Sequence, residues 1–164
     1  MFERVSTLLV GHRSGKAVYG IIIALAIVIT LEAHPPNALE AEATILLGAL
    51  AVAIAEFYSE VLQFRITERR RLNQGEMFEI GRHVGTVLVA ALLPLPVFLL
   101  VSLGLISIDF AFDVVKWMLV ALLFVYGYVA AQISGAGTRW SLLLAITTGS
   151  IGVVVVLAKA ALSL

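Results

Sequence analysis

Five apolar stretches run through the chain, at residues 17–33, 43–62, 84–106, 114–133 and 140–162, each separated from the next by a short polar or proline-bearing segment. A helix crossing the ~30 Å hydrocarbon core of a bilayer needs about 20 mostly apolar residues, so the pattern predicts five transmembrane helices. The first stretch is the shortest. It follows Lys16 and stops at His34-Pro35-Pro36-Asn37, because paired prolines cannot continue a helix; tilt and snorkelling flanks accommodate its length. Its late start and the lack of a small-residue cleavage pattern predict a retained span rather than a signal peptide. Pro94 and Pro96 sit at the centre of the third stretch and predict a kink, whose freed carbonyls would either line a cavity or be satisfied by neighbours. Residues 63–83 form a charged loop, whose first part, Arg65 to Arg71, is expected to prolong the second helix out of the membrane.

Composition agrees with a membrane chain. The 164 residues are 61% hydrophobic and 13% charged, with a mean hydropathy of +1.05, against about 25% charged in an ordinary soluble domain. The absence of cysteine excludes disulfides, thiolate metal sites and cysteine nucleophiles. Net charge is zero, so no basic surface for nucleic acid is expected. There is no HExxH, GxSxG or phosphate-binding glycine loop, and His12, His34 and His83 lie in separate segments; no enzyme and no resident cofactor are expected. His34 could still bind a metal at a rim, although a lone loop histidine is usually plain surface.

Charge placement predicts orientation. Nine of the eleven Lys and Arg lie on one side: Arg4, Arg13 and Lys16; Arg65, Arg69, Arg70, Arg71 and Arg82; and Arg139. Lys116 and Lys159 lie on the other side, with Glu32, Glu40, Glu42, Asp109 and Asp113. By the positive-inside rule the N-terminus is cytoplasmic and the C-terminus outside. The predicted fold is an all-α integral membrane protein of one domain, residues 1–164, in the plasma (inner) membrane of a bacterium.

The informative stretch is Ala53-Ile54-Ala55-Glu56-Phe57-Tyr58-Ser59-Glu60. Two carboxylates four residues apart share a helical face. A carboxylate at membrane depth costs up to ~3 kcal/mol and therefore faces protein or water rather than lipid. One reading is a cation or proton site, with Glu56 the deeper ligand and Glu60 near its mouth, since hard divalent cations favour carboxylate oxygens. The other is an internal ion pair, or snorkelling of Glu60. Glu76 and Glu79, near His83, could form a surface metal relay or simply a solvated face. The arginines of the loop fix topology and meet anionic headgroups. Tyr126 and Tyr128 fall inside the fourth stretch and need partners for their hydroxyls. Gly81-x-x-x-Gly85, Gly127 and Gly149-x-x-Gly152 offer small faces for helix packing, and Lys159 is expected to snorkel outward.

The Glu56-Phe-Tyr58-Ser59-Glu60 end of the second stretch resembles that of the vacuolar iron transporter family, in which a small-residue run leads into Gly-Glu-Tyr-x-Ser. Ala90-Ala-Leu-Leu-Pro94-Leu-Pro96-Val-Phe98 resembles its third span, and the five-span layout agrees. The resemblance implies a homodimeric, proton-exchanging carrier of Fe²⁺ or Mn²⁺. Glu56 would be the central ligand and Glu60 its mouth, with Tyr58 or Ser59 supplying hydroxyl oxygens. Three departures stand beside it. Val18-Tyr19-Gly20 occupies the region where the family has an Asp-Gly pair, the second span has no methionine, and the loop carries only Glu68, Glu76 and Glu79 in place of a long acidic helix. They motivate an alternative, a non-transporting assembly or regulatory subunit with Glu56 charge-paired inside the bundle. An intramembrane aspartyl protease is not expected, because it needs paired aspartates on different spans.

Overall fold

The second apolar stretch belongs to a longer helix than its hydropathy suggests. In the computed structural model, which describes residues 2–33 and 37–162 (side chains of 16–33 and 37–161), that helix runs from Ala38 to Glu68. Asn37 caps it, accepting from the Glu40 N–H while the Glu40 carboxylate accepts from the Asn37 N–H. This reciprocal capping box starts the helix five residues before the predicted boundary. At the other end the chain turns at Arg69, whose N–H donates to the Arg65 carbonyl.

Six helices are present among the described residues: α1 (Phe2–Ala33), α2 (Ala38–Glu68), α3 (Gln74–Ala91), α4 (Leu95–Ser102), α5 (Ile108–Ile133) and α6 (Thr138–Leu162). All described secondary structure is helical. Residues 16–33 of α1, α2, and residues 138–161 of α6 are each long and apolar enough to cross a membrane, and α3 with α4 makes a fourth candidate, bent by 43°. The predicted 63–83 loop is largely helical. Only residues 69–73 separate α2 from α3, and Asn73 and Glu76 build a second capping box that starts α3. The predicted third span ends early as well, since Gly104 takes a φ of 71° after α4.

The bend lies where the prolines put it. Pro94 and Pro96 cannot donate to the carbonyls of Ala90 and Leu92. Leu93 N–H takes the first at 3.4 Å and Leu95 N–H the second at 3.0 Å, so neighbours satisfy both carbonyls at the break. It delivers Phe98 into the core, edge-on to Phe112 with ring centroids 5.0 Å apart.

The helix α5 is the central staff. Its buried residues Ala111, Val115, Leu119, Leu123, Gly127 and Ala131 recur every fourth position, forming one continuous stripe. Of these, Ala111, Val115, Leu119 and Leu123 share one core with Ile21, Ala24, Leu25 and Val28 of α1. Gly20 lets α1 approach α3 closely, as a Cβ there would lie 2.7 Å from the Val87 carbonyl oxygen. Gly127 and Gly149 do the same between α5 and α6, against Thr148 and Phe124. A Cβ at Gly81 or Gly85 would meet nothing within 4 Å among the described residues, so within this chain neither glycine marks a close helix contact.

The helix α2 is the least enclosed. It buries only Ala41, Ile45, Ala49 and Ala53 and exposes Leu46, Leu47, Leu50, Ile54 and Phe57. An apolar face of this extent requires cover, and a lipid bilayer is compatible with it.

Candidate functional site

Glu56 and Glu60 do face the same way, and they face a lysine. The Lys16 ammonium, at the start of the apolar part of α1, donates to Glu56 Oε1 at 2.9 Å and also pairs with Glu60 Oε1. All three side chains are largely buried. His83 of α3 places Nδ1 3.7 Å from the other Glu60 oxygen. Three helices therefore converge on Glu60.

These groups sit in a cavity of about 480 Å³ that opens at the arginine-bearing end of the bundle. Ser59, Gln63, Thr67, Glu68, Glu76 and Glu79 also line it. Five carboxylates, one lysine and one histidine thus line one open cavity. The Arg70 guanidinium holds Glu76 bidentately, at 2.5 and 3.1 Å, and lies 3.8 Å from Glu68. These contacts raise the Arg70 pKa above its ordinary value. Glu79 pairs with Arg82 at 3.5 Å.

Of the residues expected at a metal site, Glu56, Ser59, Glu60, Glu76 and Glu79 border this cavity. Tyr58 does not; its side chain lies on the outer face of α2 and is 67% exposed. A residue two positions from Glu56 and Glu60 is rotated by about 200° on the helix, away from their shared face. Among the described residues no three His, Asp or Glu side chains form a ready-made metal cage. The two carboxylates of α2 instead converge on an ammonium. His34 lies outside the described residues, as does the side chain of His12.

A second charged cluster closes the opposite end. Glu32 accepts from Lys116 of α5 and from Lys159 of α6, both at 2.6 Å, and Lys116 also pairs with Asp113 at 3.0 Å. Ser102 donates to Glu42 there at 2.5 Å. Lys159 therefore turns inward to Glu32, where the sequence suggested outward snorkelling. Lys16 and Glu32 stand about 24 Å apart along α1, with an apolar core between them. Of the tyrosines, Tyr128 accepts from Gln132 at 3.2 Å, and Tyr126 borders a groove with Arg82 and Thr86.

Sequence reasoning took Lys16 as a flanking charge and missed its place between the two glutamates. The available signal was its four-residue spacing from Gly20, a step that keeps Lys16 beside the small, buried face of α1. No family model, no curated protein and no solved structure matches this chain.

Proposed function

We propose that this chain is a divalent-cation transporter whose acidic cavity is the cytoplasmic mouth of the cation path. The observation that carries this reading is the convergence of Glu56 and Glu60 at an open cavity that three further carboxylates line. Such a space concentrates cations, and its oxygen donors suit hard ions such as Mn²⁺ and Fe²⁺. These are the substrates implied by the resemblance to vacuolar iron transporters. Lys16 acts as the resident counter-charge. An arriving cation displaces the ammonium from Glu56 and Glu60, and its departure lets Lys16 return. Protons compete for the same carboxylate oxygens, which supplies a route to proton exchange.

In this reading the arginine-bearing end faces the cytoplasm, as the positive-inside rule requires. The helices α1, α2, α3–α4, α5 and α6 make five spans in a bacterial inner membrane, with the C-terminus outside. A second copy covers the exposed face of α2, giving a homodimer. Mn²⁺ titration of the purified protein, followed by electron paramagnetic resonance, tests the site. Wild type is expected to bind Mn²⁺, and the Glu56→Gln/Glu60→Gln double variant to lose about tenfold or more in affinity, since each removes a charged ligand. Equal binding by the two proteins contradicts the assignment.

One observation favours the alternative of a non-transporting subunit: Lys16 already neutralises part of the glutamate pair. Under that alternative the lysine is a permanent partner, and Mn²⁺ does not displace it.

A further inference from the structure

The arginine cluster at the end of α2 is not absorbed by the cation site. Arg65, Arg69, Arg70 and Arg71 line one open hollow of about 540 Å³. Of these four, only Arg70 has carboxylates within 4 Å among the described residues, so three guanidinium groups in this hollow carry uncompensated charge. Arg69 adopts the left-handed conformation, φ 52°, at a helix C-terminus where glycine or asparagine is favoured. An arginine there costs about 1–2 kcal/mol of backbone strain; strain kept in place of a cheap glycine points to use of the side chain. Ile66 falls among these arginines in sequence and is 68% exposed. Guanidinium groups with an exposed isoleucine among them in sequence, at the end of a long apolar helix, match the level at which lipid headgroups meet acyl chains.

We propose that these four arginines bind the phosphate of an anionic phospholipid headgroup, and that Arg70 is shared between this site and the acidic cavity. The planar guanidinium fork suits phosphate oxygens, which it can hold bidentately. Arg70 already uses its fork on Glu76, a residue that lines the cavity. Phosphate and Glu76 therefore compete for the same N–H groups. When phosphate wins, the Glu76 carboxylate loses its counter-charge and the cavity it lines becomes more negative. Headgroup occupancy thus sets the charge of the neighbouring space through a single side chain. The inference rests on the Arg70 geometry and stands apart from the transport reading.

The test is thermal unfolding of the full chain in a neutral detergent, titrated with dioctanoyl phosphatidylglycerol, dioctanoyl phosphatidylcholine or inorganic phosphate. Phosphatidylglycerol is expected to raise the melting temperature saturably, and phosphatidylcholine to leave it unchanged. Arg69→Gly, which relieves the strained φ, is expected to weaken phosphatidylglycerol binding about fivefold, the worth of one basic residue at a membrane surface, without lowering the lipid-free melting temperature. Glu76→Gln keeps a capping-box residue yet releases Arg70, and is expected to tighten phosphatidylglycerol binding by about fivefold, a typical coupling between sites. Equal shifts with both lipids overturn the site. Inorganic phosphate acting as strongly as phosphatidylglycerol at equal concentration overturns the lipid assignment in favour of free phosphate. Unchanged affinity in Glu76→Gln overturns the sharing of Arg70.

Discussion

Lys16→Gln is expected to bind Mn²⁺ about 10- to 100-fold more tightly than wild type. The ammonium stands within hydrogen-bonding distance of Glu56 and pairs with Glu60, in the space a cation would take. A unit charge about 4 Å from another is worth about 4 kcal/mol at an effective dielectric of ~20. Water in the open cavity screens a large part of that, leaving about 1.4–2.8 kcal/mol, which corresponds to that range of affinity. Without metal, the variant brings two carboxylates together with no lysine, so it should also melt lower than wild type and recover when Mn²⁺ is added. Titration of both proteins, with melting curves at each Mn²⁺ concentration, checks the two effects together. A variant that binds Mn²⁺ no better than wild type would mean that Lys16 does not occupy the cation's place.

Glu32→Ala is expected to be the most destabilising single change at the opposite end. Its carboxylate receives one lysine from α5 and another from α6, so a single residue of α1 ties three helices together. The three side chains are between 14% and 24% exposed. Removing one member of a fully buried ion pair costs ~3–5 kcal/mol; partial exposure and the remaining Asp113 contact of Lys116 reduce this to about 2–3 kcal/mol. For a chain of this size that is a melting temperature lower by roughly 5–10 °C. Glu32→Gln retains an acceptor and should lose less. Thermal unfolding of the two variants in detergent checks the order, and an alanine variant that melts with wild type would refute the clamp.

The helices were legible because hydropathy is local, although only α1, α2, α6 and the bent α3–α4 pair are long and apolar enough to cross a membrane. Each apolar stretch lies within a helix or, for residues 84–106, across the bent pair whose break falls at Pro94. The shared face of Glu56 and Glu60 was legible from their four-residue spacing alone. Helix ends were not, because capping boxes at Asn37 and Asn73 carry charged residues into helices where hydropathy has already fallen. Partner identity was not legible either. Lys16 lies 40 residues from Glu56, and Lys159 lies 127 residues from Glu32, so only tertiary packing brings them together. A lysine near a predicted boundary reads as a membrane anchor until the neighbouring helix is placed. Tyr58 lies apart from the cavity for a geometric reason: the motif that singled it out runs along the chain, whereas a step of two residues on a helix rotates the side chain by about 200°.

Transport is the central claim. Its direct measurement is Mn²⁺ and Fe²⁺ flux into proteoliposomes, with and without an imposed pH gradient, for wild type and Glu56→Gln. Gradient-driven flux in wild type that falls to the level of empty liposomes in the variant is the predicted result. No flux through wild-type protein shown to be folded and inserted, or equal flux through both proteins, would contradict it.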